Sequence, residues 1–124
     1  MGEIARMRAV VLDCPDPKAL AGFYSSIVGW EVLYEDDGWV SIGDGGPMRL
    51  SFQQADDYQP PEWPTSERPQ QFHLDLTVDD RAKAEAQVLA LGAVKHPYQP
   101  GEKEGGFTVF LDPAGHPFCL CDAD

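Results

Sequence analysis

The sequence predicts an α+β fold in which two βαβββ modules form a curved, barrel-like mixed sheet with the helices outside. The main observation is an internal repeat, because the order of strand and helix patterns in the first half of the chain returns in the second half. Leu12 and Asp16 overlay Leu76 and Asp80 at a constant shift of 64 residues. One half alone would also expose its sheet edge and much of its apolar face. We therefore expect two pseudo-symmetric modules that share one core.

The first module is predicted to span about residues 6–54. An aliphatic strand pattern at 7–13 precedes Asp16 and Pro17, which suit the N-cap and the first position of a helix. Gly29 is placed to end that helix, because glycine readily adopts the left-handed conformation of a C-terminal cap. Three strands follow, at residues 30–35, 39–42 and 48–53, the first two joined by an Asp37-Gly38 hairpin signal.

The second module is predicted to span about residues 71–122 and has the same order of elements. A strand at 72–78 precedes Asp79 and Asp80, either of which can cap a helix that ends at Gly92. Further strands are expected at residues 94–98, 107–111 and 118–121, the last two joined by a type I turn at 112–115.

The modules are joined by a linker at about residues 55–70, which holds four of the eleven prolines and has no periodicity. It is too short to separate independent domains, so we expect residues 1–124 to form a single domain. Trp63 in its middle is unusual for a surface loop, and we expect it to pack against other side chains.

Composition narrows the classes of partner. With 21 acidic and 9 basic side chains the net charge is −12, which repels phosphate backbones and anionic lipid surfaces. The sequence contains no apolar run of membrane-spanning length and no signal-peptide core, so we expect a cytoplasmic protein without nucleic-acid or membrane partners. Three cysteines, an odd number, do not suggest a disulfide framework.

Alternation along the strands predicts one face toward the helices and one polar face that carries titratable groups. A flat sheet with water on one side would give the same pattern. Apolar members of the polar face, among them Val11, Phe110 and Cys119, favour a concave pocket instead. The residues predicted to bind a ligand in that pocket are Arg49, Ser51, Trp39, Trp63, Phe110 and Cys119.

His73 and Asp75 are the candidate acid–base residues of this face. They lie two residues apart on one strand, so their side chains are expected on the same side at about 7 Å. A histidine side chain is suited to proton transfer at neutral pH, so His73 can act as a base with Asp75 as its charge partner, although a hydrogen-bonded structural role fits His73 as well. Arg49 either binds a carboxylate or neutralises an acidic neighbour. His96 and His116 adjoin turn signals and are expected to face solvent.

Three segments carry a family resemblance: residues 10–17 (VVLDCPDP), residues 73–80 (HLDLTVDD) and residues 112–117 (DPAGHP). They resemble the vicinal oxygen chelate superfamily, which includes glyoxalase I, bleomycin-resistance proteins, extradiol dioxygenases and fosfomycin-resistance enzymes. The closest likeness is to bacterial glyoxalase-like domain proteins, and it spans nearly the whole chain. This resemblance implies the duplicated fold and a homodimer, and it is weak evidence for any one activity.

Metal-using members of that superfamily place four ligands on the first, fourth, fifth and eighth strands. The matching residues here are Ala9, Arg49 or Ser51, His73 and Cys119, and only His73 is an unambiguous ligand. We therefore expect no metal and no other cofactor. A deviant zinc site using His73, Cys119 and Cys121 remains the chemical alternative.

The sequence thus predicts a metal-free small-molecule-binding protein of the bleomycin-resistance type, with a small organic ligand as its partner. The alternative is a lyase or isomerase of the same superfamily, acting through His73 and Asp75 without a metal or through an atypical divalent metal site. The absence of three expected ligands favours the binding protein.

Overall fold

The strands form two separate four-stranded mixed sheets in a computed structural model that describes residues 6–123. One sheet lies in each of two compact units, Met1–Tyr58 and Gln59–Asp124. The α+β class and the repeat of a βαβββ-like module are confirmed. Neither module's sheet closes on itself, because each has two edge strands.

The first module has the predicted elements, with bounds shifted by one or two residues. They are β1 (Ala9–Cys14), α1 (Pro17–Val28), β2 (Glu31–Asp36), β3 (Trp39–Gly43) and β4 (Arg49–Gln54). The strand order is β1-β4-β3-β2, with β1 parallel to β4 and the other pairs antiparallel. The first strand of the module therefore lies beside its last.

The second module repeats this topology with one addition. Its elements are β5 (Leu74–Val78), α2 (Arg81–Ala90), β6 (Val94–Lys95), α3 (Gly101–Glu104), β7 (Phe107–Leu111) and β8 (Pro117–Asp122). The order is β5-β8-β7-β6, again with the first and last strands parallel. The sequence indicated only a loop where the one-turn helix α3 forms, and residues 96–98, predicted as strand, lie outside β6.

Side-chain caps fix the start of both long helices. The Asp16 carboxylate accepts a hydrogen bond from the Ala19 amide at 3.2 Å, and Pro17 occupies the first helical position. In the second module Asp80, rather than Asp79, is the cap, and it accepts from the Lys83 amide at 3.1 Å. These bonds satisfy amides that have no partner within a helix.

A stacked aromatic pair lies in the core of each module. Tyr24 of α1 stacks on Phe52 of β4 with ring centroids 5.8 Å apart, and both side chains are fully buried. In the second module Phe110 of β7 stacks on Phe118 of β8 at 5.9 Å, and both are again fully buried. Such pairs add about 0.5–1.5 kcal/mol to the stabilisation from burial alone.

The predicted position of Phe110 was therefore wrong. We expected it on the ligand-facing side of the sheet with Cys119, but it lies directly opposite Phe118 in the β7–β8 pairing. Residues directly opposite one another in an antiparallel pair point to the same side, so Phe110 belongs to the core. Phe72 falls in the strand predicted at residues 72–78, with its side chain expected toward the helices, but it precedes β5 and is 80% exposed.

The linker region contains neither helix nor strand from residue 55 to residue 73. No helix in the described range 6–123 is both long enough and apolar enough to cross a bilayer.

Replacing Asp80 with alanine is expected to lower the free energy of unfolding by about 1 kcal/mol, because the cap of α2 is lost. Asp79→Ala is the matched control: it removes the same charge one residue earlier, where no cap bond forms, and should cost less than about 0.5 kcal/mol. Urea unfolding followed by circular dichroism measures both. Equal decreases in the free energy of unfolding of the two variants would show that the lost charge, rather than the lost cap, destabilises the protein.

Candidate functional site: a cavity and a polar cluster in the second module

The pairing of β5 with β8 brings the candidate polar residues together. Asp75 lies beside Cys119 in this parallel pair, and Thr77 lies beside Cys121. His73 precedes β5 and is two residues from Asp75, so it reaches the same side of the sheet. Three chemically active side chains therefore cluster on one face, and their ligating atoms all lie within 4.8 Å of one another.

His73 and Asp75 are in direct contact. The distance from His73 Nε2 to Asp75 Oδ1 is 3.2 Å, much shorter than the spacing of about 7 Å expected for two side chains of an ideal strand. With Nε2–H donating to the carboxylate, the other ring nitrogen of a neutral imidazole is an acceptor. Both side chains are substantially exposed, at 42% and 63%, so this ion pair contributes little to stability.

Cys119 is the buried member of the cluster, with 7% of its surface exposed. Burial raises the pKa of its thiol to about 12, and the negative charges of Asp75 and Cys121 act in the same direction. Burial also raises the pKa of Cys121, again with Asp75 as the next cause. In the absence of a cation both residues are therefore neutral thiols at physiological pH.

A cavity of about 210 Å³ adjoins this cluster. Its wall is mostly apolar, with His73, Gln70 and the Cys119 thiol as polar members. The complete lining comprises Trp63, Gln70, His73, Pro100, Phe107, Val109, Pro117 and Cys119, all within the second unit. An apolar hollow with a few polar groups is typical of small-molecule sites.

Contacts within the second module hold Trp63 at this wall. Its ring packs against His96 and Tyr98, with centroids 5.0 Å and 5.3 Å away. The Trp63 carbonyl lies 2.7 Å from His96 Nε2, while the Tyr98 amide donates to His96 Nδ1 at 3.0 Å. The second bond makes Nδ1 an acceptor, so Nε2 carries the proton that is donated to Trp63.

The expectation that Trp63 packs against other side chains is thus confirmed. The expectation that His96 faces solvent was wrong, because that side chain is buried and both ring nitrogens are bonded. His116 is half-buried rather than exposed, next to the turn that joins β7 to β8.

The other predicted ligand residues lie in the first module. Trp39 Nε1 donates to Ser41 Oγ at 2.9 Å, and Ser41 Oγ lies 2.8 Å from Ser51 Oγ. Ser51 is therefore buried and already hydrogen-bonded. Arg49 is exposed and forms no ion pair with any described residue of its own module. Of the predicted residues, the structure brings together His73, Asp75, Trp63 and Cys119.

Several cavity residues were missed by sequence reasoning. Val109 and Phe107 lie opposite Cys119 and Cys121 in the β7–β8 pairing and so face the cavity side. The tight turn at 112–115 fixes this register, because it sets Leu111 opposite Pro117. Alternation along β7, counted from this turn, would have placed Val109 and Phe107 on the cavity side and Phe110 on the core side. Alternation from Cys119 also indicates Pro117, whereas nothing in the sequence pattern indicated Gln70 or Pro100.

The four positions that bind metal in metal-using relatives are a poor fit in this chain, since Ala9 has no donor atom and Arg49 carries a positive charge. A different donor set, His73, Asp75 and Cys119, has the chemistry that suits zinc. The donor atoms of His73 and Asp75 are 3.2 Å apart, and every pair in the set lies within 4.8 Å, so the three side chains are close enough to share one ion. The deviant set predicted from sequence differs from this one, with Cys121 in place of Asp75.

Comparison with known proteins identifies the family. The family model described as the glyoxalase-like domain matches residues 9–121. No curated protein sequence matches the chain.

Solved structures share the fold at low sequence identity. A glyoxalase/bleomycin resistance protein/dioxygenase family enzyme from Burkholderia phytofirmans PsJN superposes with a TM-score of 0.69 at 21% identity, covering 95% of this chain and 98% of that one. A glyoxalase family protein from Enterococcus faecalis gives 0.68 at 22% identity, with coverage of 95% and 98%. A mutant of the fosfomycin resistance protein FosX from Listeria monocytogenes, complexed with Mn(II) and 1S,2S-dihydroxypropylphosphonic acid, gives 0.71 at 18% identity, with coverage of 96% and 90%.

The raised thiol pKa predicts how Cys119 reacts. Because the thiolate is the nucleophile, its alkylation by iodoacetamide should accelerate up to and beyond pH 10, with no plateau below about 12. In urea-unfolded protein the same rate should level off above about pH 9, since a free cysteine has a pKa of about 8.5. Asp75→Asn should move the folded profile to lower pH by removing the second-largest cause. Peptide mass spectrometry gives the rate at each cysteine, and a folded-state plateau near pH 8.5 would contradict the burial argument.

Proposed function

This chain belongs to the glyoxalase-like domain family of the vicinal oxygen chelate superfamily, and we propose that it is a metal-free protein that binds a small organic ligand. The cavity in the second module carries the proposal. It is large enough for one or two aromatic rings, and most of its wall is apolar. The proposed role is sequestration or transport of the ligand, as in the bleomycin-resistance type.

Trp63 and Phe107 supply flat surfaces against which an aromatic ligand can stack. Trp63 is fixed by the His96 hydrogen bond and by ring contacts, so little side-chain entropy is lost when a ligand arrives. The polar groups at the wall then orient the ligand.

The electrostatics of the polar cluster support binding without a metal. His73 and Asp75 satisfy one another, and Cys119 is a neutral thiol that behaves as a small apolar wall residue. No buried charge in this cluster therefore requires a cation to neutralise it.

The donor set of His73, Asp75 and Cys119 favours a second candidate function, that of a lyase or isomerase. Without a metal, Asp75 would orient His73 as the general base, and the ring nitrogen opposite the Asp75 contact would take the proton. With a zinc ion on the three donors, the metal would supply Lewis-acid chemistry. Zinc binding would require the Cys119 thiol to lose its proton, and the pKa of that thiol is about 12 in the metal-free protein.

Phenol, indole and quinoline are suitable probes of the cavity. In two-dimensional ¹H–¹⁵N NMR spectra they should shift the side-chain N–H resonance of Trp63 in the wild-type protein. Trp63→Phe should weaken binding about fivefold or more by removing part of the wall. Trp30→Phe, a matched change in the first module, should leave the affinity within twofold. If none of the probes shifts the Trp63 resonance, and native mass spectrometry of freshly extracted protein finds no bound small molecule, the binding proposal fails.

Elemental analysis of freshly purified protein tests the metal-free part. We expect no stoichiometric zinc, nickel, iron or manganese, and unchanged probe affinity after treatment with EDTA. One zinc ion per chain would contradict this expectation. Cys119→Ser and Cys121→Ser form the matched pair: zinc lost in the first variant and retained in the second would establish the His73, Asp75 and Cys119 site in place of the metal-free protein.

A further inference from the structure

Gln70 lines the cavity and carries an unpaired polar atom. The residue belongs to the linker and is one of the cavity-lining side chains. Its amide oxygen Oε1 is buried and, in the described part of the chain, has no hydrogen-bond partner. It is the one buried side-chain oxygen or nitrogen in the described residues that lacks a partner.

An unsatisfied buried amide is unfavourable, because it has lost its hydrogen bonds to water without replacing them. The terminal torsion of a glutamine side chain is broad, so rotation about it brings Oε1 to the surface of the cavity, where a ligand can pair with it.

We infer that Gln70 is the specificity-determining residue of the cavity, and that it accepts a hydrogen bond from an N–H or O–H group of a neutral one- or two-ring aromatic ligand. This inference rests on the proposed binding function and names the ligand class. A ligand with such a donor satisfies the amide oxygen, whereas a ligand of the same shape without the donor leaves it unpaired.

The size of the cavity limits the ligand. An apolar cavity of about 150 Å³ accommodates benzene. At about 210 Å³, this cavity accommodates a substituted ring or two fused rings rather than a large drug-like molecule.

Charge argues for a neutral ligand. The wall offers proline, valine, phenylalanine and tryptophan side chains, which cannot compensate the desolvation of an ion. An anion would also be repelled by the net charge of −12 and by Asp75, which contacts the cavity residue His73. A ligand with a heteroaromatic N–H or a phenolic O–H group is neutral and also carries the hydrogen-bond donor that Gln70 requires.

Indole and indene are the matched probes, because they have nearly the same shape and only indole carries an N–H donor. Dissociation constants are measured by NMR titration of the wild-type protein, following the Trp63 N–H and the Gln70 side-chain NH₂ resonances. We expect indole to bind about tenfold more tightly than indene, as one hydrogen bond to an otherwise unpaired buried acceptor implies. Gln70→Met, an apolar residue of similar length, should reduce this ratio to about one by weakening indole alone.

Gln70→Asn provides the rescue control. It keeps a neutral amide oxygen on a side chain that is one methylene shorter and should retain a preference for indole. The dispersed backbone spectrum of each variant verifies that it is folded. Binding of both probes with equal affinity in wild-type protein and Gln70→Met would overturn the role of Gln70 and leave the binding function intact. Binding of neither probe to the wild-type protein would overturn both.

Discussion

The pairing of the first strand of each module with its last is the constraint on which the rest of the structure depends. In the second module this pairing sets Asp75 beside Cys119 across a parallel ladder and brings His73 to the same side. The equivalent pairing of β1 with β4 sets Val11 beside Ser51 in the first module. Because side chains alternate along a strand, a shift of one residue in either ladder would move every one of these groups to the opposite face.

The degree of burial then determines the protonation and hydrogen bonding of these side chains. Asp75 and His73 remain partly exposed and pair with one another, whereas Cys119 is removed from water and retains its proton. The first module shows another outcome, in which Trp39, Ser41 and Ser51 bond in a chain that satisfies the buried hydroxyl groups. The unpaired amide of Gln70 differs from both, and for that reason it indicates a ligand more directly than the titratable cluster does.

Much of the fold followed from local sequence signals. Asp16, Pro17 and Gly29 determine both ends of α1 through their own backbone chemistry, and the same holds for Asp80 at the start of α2. The repeat itself identified the two modules. The helix α3 was not predictable, since Gly101–Glu104 is too short to show a helical period and forms beside β7 through contacts made only after folding.

The candidate site was predicted in part. His73 and Asp75 were identified because residues two apart in an extended strand point to the same side of the sheet. Phe110 was misplaced because strand alternation fixes which residues share a side but leaves open which side is the core, and that choice depends on the register with β8. Gln70 and Pro100 come from irregular segments, where no periodicity connects a residue to a face.

The attachment of Trp63 to His96 has a consequence for how the protein can evolve. The segment around Trp63 and Gln70 contributes to the cavity wall, yet it has no ladder bonds to a sheet and no helical period to maintain. Substitutions, insertions or deletions there reshape the cavity at little cost to folding, provided that the tryptophan anchor remains. Changes in the connection between the repeats can thus alter the ligand preference without any change in the strands that scaffold the site.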